Sequence, residues 1–274
     1  MILFTLLTFA ASWILWAAAS RVLGGDFAHP GPLAHIGNAL YLLGVFAPAF
    51  VALPLTSVRD GSGAAKELLR RVIAWSVDAR WYAFAILYFP VVKLAVAVVH
   101  RLALGVWPGF WDEPLVVMLA ATVLSTPVQA GEEIGWRGFL LPRLAARIGL
   151  PSASLVVGVI WAAWHLPFFF IAGTDKTGQS FPAYAAGVVA LSVALAFLYW
   201  RTRGSLFLTM VMHAAVNNIR LVATVPSTGG AFAVRASFAS WATSVVMWAA
   251  AAGFLIAMRG AALFSRPARD AQKV

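Results

Sequence analysis

The sequence predicts an all-α membrane protein, a polytopic bundle of about eight transmembrane helices. Three observations carry that expectation. Of the 274 residues, 62% are hydrophobic and 11% are charged, against about half and about a quarter in an ordinary soluble domain. The apolar residues fall into blocks of about 20 with almost no charge, the length an α-helix needs to cross hydrocarbon. The basic residues lie between those blocks and are shared unevenly between the two sides.

The first block, residues 1–19, runs from Met1 without the basic leader of a signal peptide and reads as a retained helix. Gly24-Gly25 through His29-Pro30-Gly31-Pro32 makes a turn-rich link to the second, 36–56. A polar stretch from Asp60-Gly61-Ser62-Gly63 to Arg70-Arg71 separates it from the third, 81–99. The fourth to eighth blocks are 114–131, 152–172, 183–200, 205–224 and 237–258. Between the fourth and fifth, Phe139 to Ile148 carries Arg143 and Arg147 on one face and Leu140, Leu141, Leu144 and Ile148 on the other, the pattern of a helix lying on the membrane surface. Residues 1–264 form a single integral-membrane domain, and 265–274 are a polar tail. Most of the 12 Trp and 19 Phe are expected at the lipid face or in interfacial belts.

Eight crossings put both ends on one side. That side holds 14 Lys and Arg, the opposite side 5 (Arg21, Arg101, Lys176, Arg220, Arg235), and Lys93 stays unassigned within the third block. By the positive-inside rule both termini are cytoplasmic, and the expected location is a bacterial inner membrane. The net charge of +10 does not argue for nucleic acid, because the basic residues form no single stripe with interleaved aromatics. The absence of cysteine excludes disulfides, thiolate nucleophiles and cysteine-ligated metals. Membrane lipid is the expected surrounding, and the sequence does not fix the oligomeric state.

Ionisable groups are costly inside a bilayer, so those kept there are functional candidates. The fourth block ends in Gly131-Glu132-Glu133-Ile134-Gly135-Trp136-Arg137-Gly138. Adjacent helical residues point about 100° apart, so Glu132 and Glu133 have different jobs. Glu133 and Arg137, four apart with the acid first, suit an ion pair, which leaves Glu132 as the free carboxylate. His165 follows Trp161 by one turn near the middle of the fifth block, and His213 and Asn217 share one face of the seventh. One acid, two imidazoles and a carboxamide are a kit for activating water. A carboxylate in a low-dielectric cavity suits a general base, and a His opposite can hold the water, bind a metal or shuttle the proton. An Asn amide, with a His, can donate to the oxyanion of a tetrahedral intermediate. Ser125, Ser154 and Ser205 have no spare acid to orient a His, so a serine triad is not favoured. The fourth block ends, and the seventh begins, on the side of the termini, so the site is expected to open toward the cytoplasmic half of the bilayer.

Glu132-Glu133-x-x-x-Arg137, Trp161-x-x-x-His165 and His213-x-x-x-Asn217, in this order on successive membrane segments, resemble the motifs of the CAAX protease and bacteriocin-processing (CPBP, Abi) family. They cover about residues 115–225. The one departure is Trp161, where Phe is commoner. The resemblance implies an intramembrane endopeptidase, glutamate- or metallo-type, in which Glu132 and His165 activate the hydrolytic water while His213 and Asn217 stabilise the oxyanion. It implies membrane-associated peptide or protein substrates, in a family that includes CAAX proteases and proteins of bacteriocin maturation or self-immunity. If a divalent metal such as zinc is used, Glu132, His165 and His213 are its ligands. The alternatives from the same residues are a transporter or proton relay, or a non-catalytic scaffold.

Overall fold

A computed structural model describes residues 1–29, 31–110, 112–222, 230–234, 236–261 and 263. The tail 265–274 and Arg235 lie outside the described residues. Each apolar block contains a helix, and no strand longer than an isolated bridge occurs among the described residues.

Helices α1 (Ile2–Val22) and α2 (Ala34–Asp60) form an antiparallel hairpin. The short α3 (Ser62–Arg70) lies on the face that carries the N-terminus, and buries only Leu68. Helix α4 (Ala79–Leu104) starts where the Asp78 carboxylate accepts from the Arg80 amide at 3.0 Å and stops at left-handed Gly105. The fourth block does not end at residue 131. It continues as one 34-residue rod, Leu115–Ile148, made of α5 (Leu115–Ser125), a 3₁₀ turn over Thr126–Gln129, α6 (Ala130–Glu133), a π-helical segment Ile134–Leu140 and α7 (Leu141–Ile148). The amphipathic segment with Arg143 and Arg147 is therefore the end of a span, docked on its neighbour, rather than a separate surface helix. Gly149 reverses the chain into α8 (Leu150–Trp164), and α9 (Phe181–Arg201), α10 (Leu206–Asn218) and α11 (Phe238–Ala257) complete the bundle. Ser180, Ser205 and Ser237 cap the last three helices through their hydroxyls.

Six of these elements are long and apolar enough to cross a membrane, counting Leu115–Ile148 as one. The other two explain the cavity. At 1.5 Å per residue, α8 (15 residues) and α10 (13 residues) are about 22 and 20 Å long, short of a hydrocarbon layer of about 30 Å. Both start on the face of the termini and stop inside the bundle. The fifth and seventh blocks thus end as helices at Trp164 and Asn218, not at 172 and 224, and residues 223–224 lie outside the described set. Above the two helix ends opens a cavity of about 910 Å³.

Beneath it the core is aromatic. Trp16, Trp136, Trp161, Trp164, Phe4 and Phe139 are fully buried, so a substantial part of the aromatic set faces inward rather than toward lipid. Trp164 donates its indole N–H to Ser12 Oγ at 2.8 Å, Ser12 donates to the Gly44 carbonyl at 2.8 Å, and Trp13 donates to the Trp164 carbonyl at 3.0 Å. The N-terminal hairpin is thereby bonded to the helix that ends at His165.

Candidate active site

Close backbone approach sets the position of the two glutamates. Gly131 and Gly135, one turn apart, face α2, where a Cβ on either would collide with the backbone at Val45–Phe46 or with Pro48. Small residues at this spacing let two helices meet at backbone distance. The rod is thus pinned to α2 on one side, and its π-helical turn begins immediately after Glu133. A π turn re-aims the side chains that follow it, and such turns concentrate at functional sites.

Glu133 and Arg137 are both completely buried, and their ion pair measures 2.8 Å, as the i, i+4 spacing predicts. The same Glu133 oxygen accepts from His213 Nδ1 at 2.9 Å. There is accordingly an acid that orients a histidine here, which corrects the expectation that none was available. The Arg137 guanidinium lies 4.2 Å from the centroid of the Trp161 ring, a cation–π contact that occupies its other side. Glu132 is not wholly free either. One of its oxygens accepts the Trp161 indole N–H at 2.6 Å, while the residue lines the cavity.

His165 sits at the C-terminal cap of α8, not in mid-helix. Its Nδ1 is 2.8 Å from the Trp161 carbonyl. A carbonyl only accepts, so Nδ1 carries the proton and Nε2 keeps its lone pair. Asn217 directs Nδ2 toward Gln129 Oε1 at 3.4 Å. Glu132, His165, His213 and Asn217 all line the one cavity, whereas Glu133 and Arg137 stand behind its wall.

Sequence reasoning missed Gln129 and Tyr184 as cavity residues and left Lys93, which also lines the cavity, unassigned. Gln129 was detectable, since it precedes Glu132 by three residues and so shares its face. Tyr184, whose ring centroid is 5.6 Å from that of His165, comes from α9 and has no nearby motif to flag it.

The mouth of the cavity is bounded by Phe27, by the 173–180 segment, by Arg220 and Val222, and by Ala236. These residues lie where α1, α8 and α10 end and where α9 and α11 begin, on the face opposite Met1 and the end of α11. The site therefore opens away from Met1 and from the end of α11, whereas the sequence placed its opening on the side of the termini.

Glu132, His165 and His213 were the candidate metal ligands. Among the described residues no three His, Cys, Asp or Glu side chains converge closely enough to hold an ion. His213 Nδ1 is engaged by Glu133, His165 Nδ1 by the Trp161 carbonyl and one Glu132 oxygen by Trp161, which leaves Nε2 of each histidine and the second Glu132 oxygen as the donors that a metal would use.

A family model described as type II CAAX prenyl endopeptidase Rce1-like matches residues 110–219, the stretch that contains all three motifs. Over that stretch the chain is similar to the family whose motifs its sequence resembles. The CAAX prenyl protease 2 of Methanococcus maripaludis is 22% identical over 242 residues, covering 82% of this chain and 86% of that protein. The likeness to that relative thus extends well beyond the motif core.

Proposed function

We propose that this chain is an intramembrane endopeptidase that cleaves membrane-associated peptides or proteins with water activated by Glu132 and His165. The carrying observation is the shared cavity: an acid, two imidazoles and a carboxamide from three helical segments line one space about 910 Å³ in volume. A water there donates one hydrogen to Glu132 and the other to the lone pair of His165 Nε2, which aims its own lone pair at the substrate carbonyl. Glu132 takes the proton as the C–O bond forms. The tetrahedral oxyanion accepts from Asn217 Nδ2 and His213 Nε2. With Nδ1 donating to Glu133, His213 donates from Nε2 only when its ring carries both protons, and Glu133 balances that charge while Arg137 holds Glu133 in place. On collapse the C–N bond breaks and the proton on Glu132 passes to the leaving amine. No step requires a metal.

The distribution of basic residues supports cytoplasmic termini. The mouth then faces the non-cytoplasmic side, and substrates arrive from there or laterally through lipid.

The test is cleavage of a lipidated peptide by the purified chain, compared with Glu132→Gln and Asn217→Ala. Hydrolysis requires loss of cleavage in both, whereas a proton relay predicts loss of proton-coupled uptake in Glu132→Gln alone and a scaffold tolerates both changes.

A further inference from the structure

Where α1 starts and where α2 and the 34-residue rod end, three arginines gather around one carboxylate. Arg59 lies in the last turn of α2, and Arg143 and Arg147 stand one turn apart on α7. All three guanidiniums are within electrostatic reach of the Met1 nitrogen, so they share one corner of the bundle instead of being spread over its face. Arg143 donates to Asp60, the neighbour of Arg59 in the chain. Arg59 and Arg147 are exposed and form no ion pair among the described residues. One carboxylate among three guanidiniums leaves positive charge in excess, and the like charges repel until an anion joins them.

Arg143 is held in place before any ligand arrives. Its Nη1 donates to the Phe139 carbonyl at 3.0 Å, and its guanidinium carbon lies 3.8 Å from the centroid of the Phe139 ring. Phe139 is itself fully buried against Phe4, with 4.7 Å between ring centroids. A group ordered in advance loses little freedom on binding. The surroundings select the kind of anion. From this corner α1 presents Ile2, Leu3 and Leu6 outward along a membrane span. Guanidiniums at the ends of spans, with an apolar wall leading from them into hydrocarbon, match the two halves of a phospholipid: the phosphate takes the arginine forks and the acyl chains lie along the helix. A free phosphate would leave that wall unused.

We propose that Arg59, Arg143 and Arg147 form a headgroup site for an anionic phospholipid whose acyl chains lie against α1. The site is on the face opposite the mouth of the cavity, and its occupancy does not depend on the endopeptidase reading.

The test titrates the full-length chain, purified in a neutral detergent, with phosphatidylglycerol and with phosphatidylcholine of the same acyl chains, and counts bound lipid by native mass spectrometry. One phosphatidylglycerol is expected to bind at least about tenfold more tightly than phosphatidylcholine, since each basic residue beside a headgroup is worth about fivefold. Arg59→Gln combined with Arg147→Gln removes the preference, and Arg59→Lys combined with Arg147→Lys keeps part of it. Arg201→Gln combined with Arg203→Gln takes the same charge from the α9–α10 turn, on the same face but outside this corner, and leaves the preference intact. Because Arg59 and Arg147 are exposed, their Gln pair is expected to melt near the wild-type temperature without added lipid, which separates a lost site from a lost fold. Added phosphatidylglycerol then raises the melting temperature of the wild type but not of that pair. Equal affinity for the two lipids, an equal loss of preference in the Arg201 and Arg203 pair, or displacement of the bound lipid by inorganic phosphate would each overturn the assignment. The second result would reduce the site to diffuse surface charge, and the third would make it a site for a free anion.

Discussion

The indole N–H of Trp161 donates to the Glu132 carboxylate across 2.6 Å, while the backbone carbonyl of the same tryptophan accepts from His165 Nδ1 at 2.8 Å. One residue thus orients both groups assigned to the hydrolytic water, and its ring also covers the Arg137 guanidinium. Trp161→Phe keeps the ring and the backbone contact but removes the N–H. It is expected to retain cleavage within about tenfold of wild type, the value of one hydrogen bond to a charged acceptor. Trp161→Ala also opens a void in the core and costs about 3–5 kcal/mol, so its loss of activity comes with a lower melting temperature. Equal melting temperatures for the two variants would contradict this role.

Asn217→Ala tests the oxyanion donor. Removing one such donor costs about 10²–10³ in kcat with little change in KM. A variant whose KM rises while kcat holds would place Asn217 in substrate binding instead.

Glu133→Gln and Arg137→Leu test the buried pair from its two sides. Arg137→Leu strands a buried carboxylate and Glu133→Gln strands a buried guanidinium, each of which costs about 3–5 kcal/mol and should appear as a large loss of thermal stability. Glu133→Gln also removes the charge facing His213, and its folded fraction is expected to show a kcat lowered more than about a hundredfold. An unchanged melting temperature in either variant would refute the network.

Cleavage is expected to survive exhaustive treatment with a zinc chelator, because the proposed scheme activates water with Glu132 and His165 alone. Activity lost to chelation and restored by added zinc would show that the side chains regroup around an ion.

The chain has no cysteine, so single-cysteine labelling has no background. Thr177→Cys at the mouth is expected to react with a membrane-impermeant maleimide in intact cells, and Ser62→Cys on the opposite face only after permeabilisation. The opposite pattern would invert the proposed orientation.

The residues that share the cavity were legible because their signals are local. Helical spacing alone pairs Glu133 with Arg137 and puts His213 and Asn217 on one face. Where reasoning from the sequence fell short, the determinant was tertiary. Nothing in Ile134–Leu140 announces a π-helix, so the fourth span seemed to end at its glutamates when it runs on to Ile148. Pro167 and Ile219 follow the true ends of α8 and α10, but hydropathy continues past both, so blocks of full membrane length concealed two short helices and with them the direction of the cavity. The inward packing of Trp16, Trp136 and Trp164 depends on partners 25 or more residues away in the chain, which no window of local pattern can see.

Because both α8 and α10 stop inside the bundle, the reacting groups are reached through a well closed at its floor by tryptophans and bordered above by connecting segments. Exchanging the stretches that follow Phe169 and Asn218 would therefore alter which peptides are admitted without touching the machinery below. A tag at the N-terminus stands across the bilayer from that rim and leaves it clear.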